Sequence, residues 1–217
     1  MTTITLEQFE LKVVRLLGQT SIESIDGGQD LVIDAVAAAC DAILPWVPKV
    51  NTIDLIGDGS KIIFDLPVDL YEIQAVTDDS GKIIPHSILI PGHYIGESAE
   101  DNDWLEYPDK QISFSMAPES GEVFTVYYLA YWTKPDSGTP ASTVLEPPDF
   151  SITGMSFFAA AYCLLPQAIS SAEVRQFGTK VDSGTPEQNP LLRSVDYFLK
   201  LFSNEMSRYP KYTRATK

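Results

Sequence analysis

His86 and His93 are the only imidazoles in the 217-residue chain, and Glu97, Glu100, Asp101 and Asp103 follow them closely. A transition-metal centre normally needs three protein ligands on converging elements, and here Pro91-Gly92 places a turn between the two histidines. The run Glu100-Asp101-Asn102-Asp103 offers oxygens suited to Ca²⁺ but lacks the twelve-position loop closed by a bidentate glutamate, so it reads as a solvated acidic turn. No serine sits in a Gly-x-Ser-x-Gly elbow and no glycine loop of the phosphate-cradling kind occurs. Paired carboxylates of a glycosidase need no motif, and the abundance of Asp and Glu leaves that chemistry open. Tyr107, Tyr127, Tyr128, Tyr131 and Trp132 could stack on sugar rings, although aromatics at strand spacing more often form core or cross-strand pairs. The expectation is therefore a protein that is not an enzyme, with no cofactor and no bound metal.

The elements that must position any site alternate in kind. Leu6, Phe9, Val13, Leu16 and Leu17 follow helical spacing, with Thr5 as N-cap and Gly18 as the stop. A polar turn over 21–28 precedes a second helix through Leu31, Val32, Ala35, Val36, Ala39 and Ile43, where Ala35, Ala37, Ala38 and Ala39 permit close packing. Apolar runs at 53–56 and 61–64 flank Gly57-Asp58-Gly59-Ser60, which predicts a hairpin. The segment 71–76 alternates with period two, and further strands are expected at 88–90, 104–107, 111–114 and 122–132. The last is apolar on both faces and should be central. A Pro/Ser/Gly/Thr-rich loop over 136–148 leads to an apolar helix that Pro166 should end or kink, and Asn189-Pro190 opens a final helix running to about 209.

The fold class implied is α+β, a bundle of N- and C-terminal helices with an inserted antiparallel β-barrel or sandwich. Its expected parts are 1–50 (first helices), 51–146 (β domain), 147–209 (last helices) and 210–217 (extended basic tail). Lys134–Pro140 and Lys180–Pro186 echo each other with one mismatch, too short for a structural repeat and typical of exposed turns.

The formal net charge of −15 is uneven. Residues 1–150 carry 7 Lys+Arg against 25 Asp+Glu, a net of −18, while 151–217 carry 8 against 5, a net of +3. Such an anionic body disfavours ordinary nucleic-acid binding, which relies on cations that displace counterions from phosphates. It suits either simple solubility or a wall past which DNA slides without sticking. Cys40 and Cys163 lie in apolar helical patterns and read as buried small hydrophobes in a reducing compartment. The first residues lack a basic and apolar leader, and no apolar run approaches the roughly 18–20 residues that span a bilayer, the longest, Met155 to Pro166, being interrupted by polar groups and ending at proline. Neither secretion nor a membrane is expected.

The run Phe64-Asp65-Leu66-Pro67-Val68-Asp69-Leu70-Tyr71-Glu72-Ile73-Gln74-Ala75-Val76-Thr77-Asp78-Asp79-Ser80-Gly81-Lys82, then Gln111-Ile112-Ser113-Phe114, then Val126-Tyr127-Tyr128-Leu129-Ala130-Tyr131, resembles the middle segment of head-to-tail adaptor (connector, neck) proteins of tailed bacteriophages. The flanks fit that family: helices precede the β segment, and Leu145-Glu146-Pro147-Pro148-Asp149-Phe150 is the acidic, proline-containing entry to the helix that follows. The arrangement is also similar to tail tubular protein A of short-tailed phages, and the likeness spans roughly residues 6–209. The resemblance implies a virion protein made in the host cytoplasm, forming a ring of about twelve subunits under the portal. It also implies contacts with portal, tail or head-closure proteins, and double-stranded DNA passing through without sequence-specific binding. The terminal residues Lys211, Tyr212, Arg214 and Lys217 would form the segment that docks on the portal or on a neighbouring subunit. The alternative is a β module that binds carbohydrate or a receptor on a virion or cell surface.

Overall fold

The structure, a computed structural model, describes residues 4–87, 103–107, 109–179 and 190–211, with backbone alone at 107, 170–179 and 190. The expected strand at 88–90 and the second echo segment, 180–186, lie outside the described residues. The described residues divide into a helical unit, 4–48 and 132–211, and a β unit within 49–131.

In the helical unit, α1 (Leu6–Leu16) begins where the Thr5 hydroxyl accepts from Gln8 N–H at 3.3 Å and the Gln8 side-chain oxygen accepts from Thr5 N–H at 3.1 Å. This reciprocal box satisfies two helix-end donors that would otherwise be orphaned. The helix stops at Gly18, whose φ of +69° suits glycine, with Gly18 N–H on Arg15 C=O and Gln19 N–H on Val14 C=O closing a Schellman motif. Leu6, Phe9, Val13 and Val14 face inward at helical spacing. After a 3-10 turn (Ile22–Ser24), α2 (Gly28–Ile43) buries Ala35, Val36, Ala39 and Cys40 in a core shared with Met155, Ala159, Ala160 and Cys163 of α3 (Asp149–Thr179). Small residues on both helices allow the close approach. Both cysteines are free and buried.

Pro166 does not end α3, which continues to Thr179. A proline inside a helix costs about 3 kcal/mol. Here burial offsets that cost, because Ala161 and Ala168 on either side of Pro166 pack with Val195, Leu191 and Phe198 of α4 (Pro190–Met206). The last helix ends three residues short of the expected 209, and residues 207–209 form a turn. Against the expectation that no apolar run reaches spanning length, the segment Asp149–Ile169 is long and apolar enough, by length and composition alone, to cross a membrane, and 50% of its window is buried inside the structure.

Residues 132–146, assigned to the β domain by composition, belong instead to the helical unit. Leu6 N–H donates to Thr143 C=O at 2.8 Å, Leu145 N–H to Ile4 C=O at 3.0 Å, and the Leu145 side chain enters the helical core. Trp132 Nε1–H donates to Val47 C=O at 2.7 Å.

Among the described residues the β unit holds six strands: β1 (Lys49–Ile56), β2 (Ile63–Asp65), β3 (Leu70–Thr77), β4 (Trp104–Tyr107), β5 (Gln111–Phe114) and β6 (Val123–Ala130). They form two three-stranded antiparallel sheets, β1-β6-β3 and β2-β5-β4. The α+β class holds. Neither sheet closes into a barrel; they share one core, with Leu55, Ile73, Val76, Phe124 and Val126 from one and Phe64, Trp104, Ile112 and Phe114 from the other. β6 is central, as its two apolar faces require.

The hairpin expected across residues 53–64 does not form. β1 pairs with β6 and β2 with β5, so the turn carries the chain from one sheet to the other. Asp58 Oδ1 accepts from the N–H of Ser60 (2.8 Å) and Lys61 (2.7 Å), a local Asx-type turn that is indifferent to which strands follow. The Lys61 and Ser60 N–H groups also hold the exposed Asp58 carboxyl below the usual carboxylate range. In β3 the period-two pattern is broken: Leu70, Ile73 and Val76 are the buried positions, because register shifts between 70 and 72 and between 73 and 75 insert bulges. The β4–β5 turn places Asp109 and Lys110 at φ 64° and 58°, left-handed backbone that is unusual for lysine. The Lys110 ammonium donates to Val68 C=O and lies 5.7 Å from the Tyr131 ring centroid, contacts that help to hold the turn.

Candidate functional site

Among the described residues, those singled out for chemistry do not converge. His86 lies against the Trp104 ring, centroids 4.3 Å apart, in a bridge between their backbones. Asp103 accepts from the Ser87 hydroxyl at 2.9 Å, and its own N–H donates to the Ser115 hydroxyl at 2.9 Å. The Ser87–Asp103 bond runs directly, without an imidazole between the two groups. His93, Glu97, Glu100 and Asp101 lie outside the described residues. Among the described residues no group of three or more His, Cys, Asp or Glu side chains is placed to hold a metal. Burial pushes the Cys40 and Cys163 thiols up to about 12, with the neighbouring Asp41 carboxylate adding to the effect at Cys40, so neither is a ready thiolate.

The aromatic candidates divide. Tyr128 is buried, its hydroxyl donating to Asp69 Oδ1 at 3.4 Å, while Asn51 Nδ2–H reaches Asp69 Oδ2 at 3.3 Å. Trp132 is half-buried and tied to Val47 in the helical unit. Tyr131 meets Tyr71 edge to face at 5.3 Å, beneath Lys110. Tyr71 and Tyr127 are each 41% exposed. The Tyr107 side chain lies outside the description.

Of the four tail residues, Lys211 is described and Tyr212, Arg214 and Lys217 are not. The Lys211 ammonium stands 4.6 Å from the centroid of the Trp46 ring, a cation–π contact worth about 0.5–1 kcal/mol at an exposed site. Trp46 is itself seated: it follows α2, packs against the helical core, and meets Phe202 of α4 edge to face at 5.9 Å. The last described residue, Lys211, thus lies against the helical unit. A lysine after Pro210 marks a basic tail in the sequence, but nothing local to it identifies Trp46 as its partner.

Glu10 is a titratable group whose charge disguises its place in the core. Glu10 occupies the same helical stripe as Leu6, Phe9, Val13 and Val14 and is 6% exposed, with Oε1 lacking a partner among the described residues. Burial raises its pKa above the ordinary carboxyl value, the nearby Glu7 charge adds to this, and a hydrogen bond from Gln29 opposes it. A folded pKa above the unfolded one means that the protonated carboxyl is favoured by folding. That contribution is present in full below about pH 4.5 and is lost as pH rises through the raised value. Replacing Glu10 by Gln removes only the charge. Urea unfolding should show no gain for the variant at pH 4 and a gain of about 1 kcal/mol at pH 7.5; equal differences at both pH values would show that Glu10 is not a buried acid.

In comparison with known proteins, no family model matches the chain, and no curated protein matches it.

Proposed function

We propose that the chain is a structural subunit of a tailed-bacteriophage neck, a head-to-tail adaptor that forms a homo-oligomeric ring beneath the portal, extends the DNA channel and joins capsid to tail. The observation that carries this reading is the architecture: helices from both ends of the sequence share one core, and a two-sheet β unit is inserted between them. The acidic charge of residues 1–150, net −18, supports it, since DNA in transit must not adhere to a channel wall. So does the basic tail that begins at Lys211, which has the chemistry to dock on an acidic neighbouring subunit or on the portal. No catalytic step is assigned to the chain and no cofactor is required.

The experiment is quantitative mass spectrometry of purified viral particles from the source system. A ring-forming neck component should be present at about one copy per portal subunit, on the order of a dozen per particle. Absence from particles would discard the reading and promote the second one, a glycan- or receptor-binding β module. That reading rests on the exposed Tyr71 and Tyr127 rings and would show itself as selective binding on a glycan array.

A further inference from the structure

The two edges of the β1-β6-β3 sheet are built differently. On the β3 side two bulges break the register, Pro67 precedes the strand, and the far end is covered where Thr77 bridges to Ile83 and Ile84 N–H donates to Val76 C=O at 2.8 Å. On the β1 side the strand pairs with β6 over all eight residues without a shift, contains neither proline nor glycine, and, among the described residues, lies at the end of the strand order. Val50 and Ile56 are 63% and 65% exposed, with Thr52 and Asp54 exposed between them. Sheet edges are usually blunted by bulges, prolines or lysines, because a straight row of outward N–H and C=O groups captures other strands. From Val50 to Ile56 the β1 edge carries none of these devices. Such an edge is what β-augmentation uses.

We propose that this edge receives the C-terminal segment 212–217 of a second copy of the chain as an added strand. Tyr212-Thr213-Arg214-Ala215-Thr216-Lys217 contains three strand-favouring residues and no proline or glycine. Extended, its six residues span about 20 Å, enough to run along most of β1. Charge favours the pairing: residues 206–217 contain no Asp or Glu, whereas residues 49–131 carry 4 Lys+Arg against 15 Asp+Glu, a net of −11. Asp54 is an exposed carboxylate on the receiving strand itself, accepting from the Thr125 hydroxyl at 2.8 Å. The donor begins beside the helical unit, where the Lys211 ammonium lies over the Trp46 ring of its own copy. A donor segment on one surface and a receiving edge on another make a heterologous contact, the kind that can close into a ring. The inference thus deepens the neck reading and rests on it for ring closure, not for the strand pairing.

The test is disulfide trapping in the full chain. One variant carries Thr52→Cys; the partners carry Tyr212→Cys, Thr213→Cys, Arg214→Cys, Ala215→Cys or Thr216→Cys, each mixed with it in turn under mild oxidation. Opposed cross-strand residues have Cα atoms about 4.5–5.5 Å apart, within disulfide reach, and the buried Cys40 and Cys163 stay out of the exchange. The expected result is a covalent dimer strongest at one tail position, weak at its sequence neighbours, and suppressed by excess synthetic peptide of sequence 211–217 and by Asp54→Lys in the receiving copy. A trapped product that forms only inside one chain, when both cysteines are placed on the same copy, would overturn the proposal in favour of self-docking. Equal trapping at all five positions, or none at any, would also overturn it, the latter leaving a different protein as the tail's partner. Strong trapping by a chain absent from viral particles would leave the strand exchange standing while the neck reading falls.

Discussion

Replacing Phe124 by alanine is expected to remove about 4 kcal/mol from the stability of the β unit. Phe124 sits on the central strand β6 with its ring 1% exposed, opposite Leu55 of β1. Across the core its ring lies 4.7 Å from that of Phe114 on β5, and Phe114 in turn meets Phe64 of β2 edge to face at 5.7 Å. Three aromatic rings therefore join one sheet to the other. Deleting the ring loses its transfer from water and leaves a void among side chains held by two separate hydrogen-bond ladders, so the walls can collapse only partly. Phe124→Leu, which keeps much of the volume, should cost about 1.5 kcal/mol or less. Urea unfolding monitored by Trp104 fluorescence, in a background where Trp46 and Trp132 of the helical unit are replaced by Phe, reports on this unit. A loss below about 1 kcal/mol for the alanine variant would mean that the two sheets do not share a core. Since ordinary domains are stable by only about 5–15 kcal/mol, the expected loss is a large fraction of the whole.

The contrast between what the sequence discloses and what it conceals follows the range of the interactions. Thr5 with Gln8 three residues on, and Gly18 after the last apolar position, are local signals, and α1 starts and stops at them. β4 and β5 fall where their short apolar runs place them, and β6 is central because both its faces are apolar. Pairing is not local. Gly57-Asp58-Gly59-Ser60 specifies a turn but not its partners, and the competing strands β5 and β6, far along the chain, take the places that a hairpin would have used. Bulges in β3 and the continuation of α3 past Pro166 are likewise decided by tertiary packing over local preference. The polar stretch 132–146 has a linker's composition, yet its backbone hydrogen bonds go to the start of α1. At the candidate site the basic character of the tail was legible in Lys211, Arg214 and Lys217, whereas the Trp46 seat of Lys211 and the unblunted β1 edge required the fold.

The turn that separates β1 from β2 also sets up the sharpest steric test. A Cβ on Gly57 would lie 2.2 Å from the Glu119 carbonyl oxygen, 2.8 Å from Pro118 Cβ and 3.0 Å from the Pro118 carbonyl carbon. Two of these are backbone atoms, and they cannot retreat freely. Gly57 N–H donates to Glu122 C=O at 2.8 Å, Gly121 N–H donates to Gly57 C=O at 3.0 Å, and Gly59 N–H donates to Pro118 C=O at 3.0 Å, so three hydrogen bonds hold the two turns together. Alanine for glycine at a compatible site usually stabilises by about 0.4–1 kcal/mol through the unfolded chain. Gly57→Ala should have the opposite sign, a loss of about 3 kcal/mol as the turns are forced apart. Gly59 provides the control: at φ +82°, with its nearest neighbour 3.8 Å away, Gly59→Ala meets only left-handed backbone strain of about 1–2 kcal/mol. Gly154 provides a second, since a Cβ there meets chiefly the flexible end of Met206 and should cost less still. The expected order in denaturant unfolding is Gly57 worst, then Gly59, then Gly154, and a neutral Gly57→Ala would show that the 118–122 turn does not close on β1. Because β1 ends at Ile56, beside this contact, the same substitution should also disturb the receiving edge and weaken strand capture by the tail, whereas Gly154→Ala, in the helical unit, should leave capture unchanged.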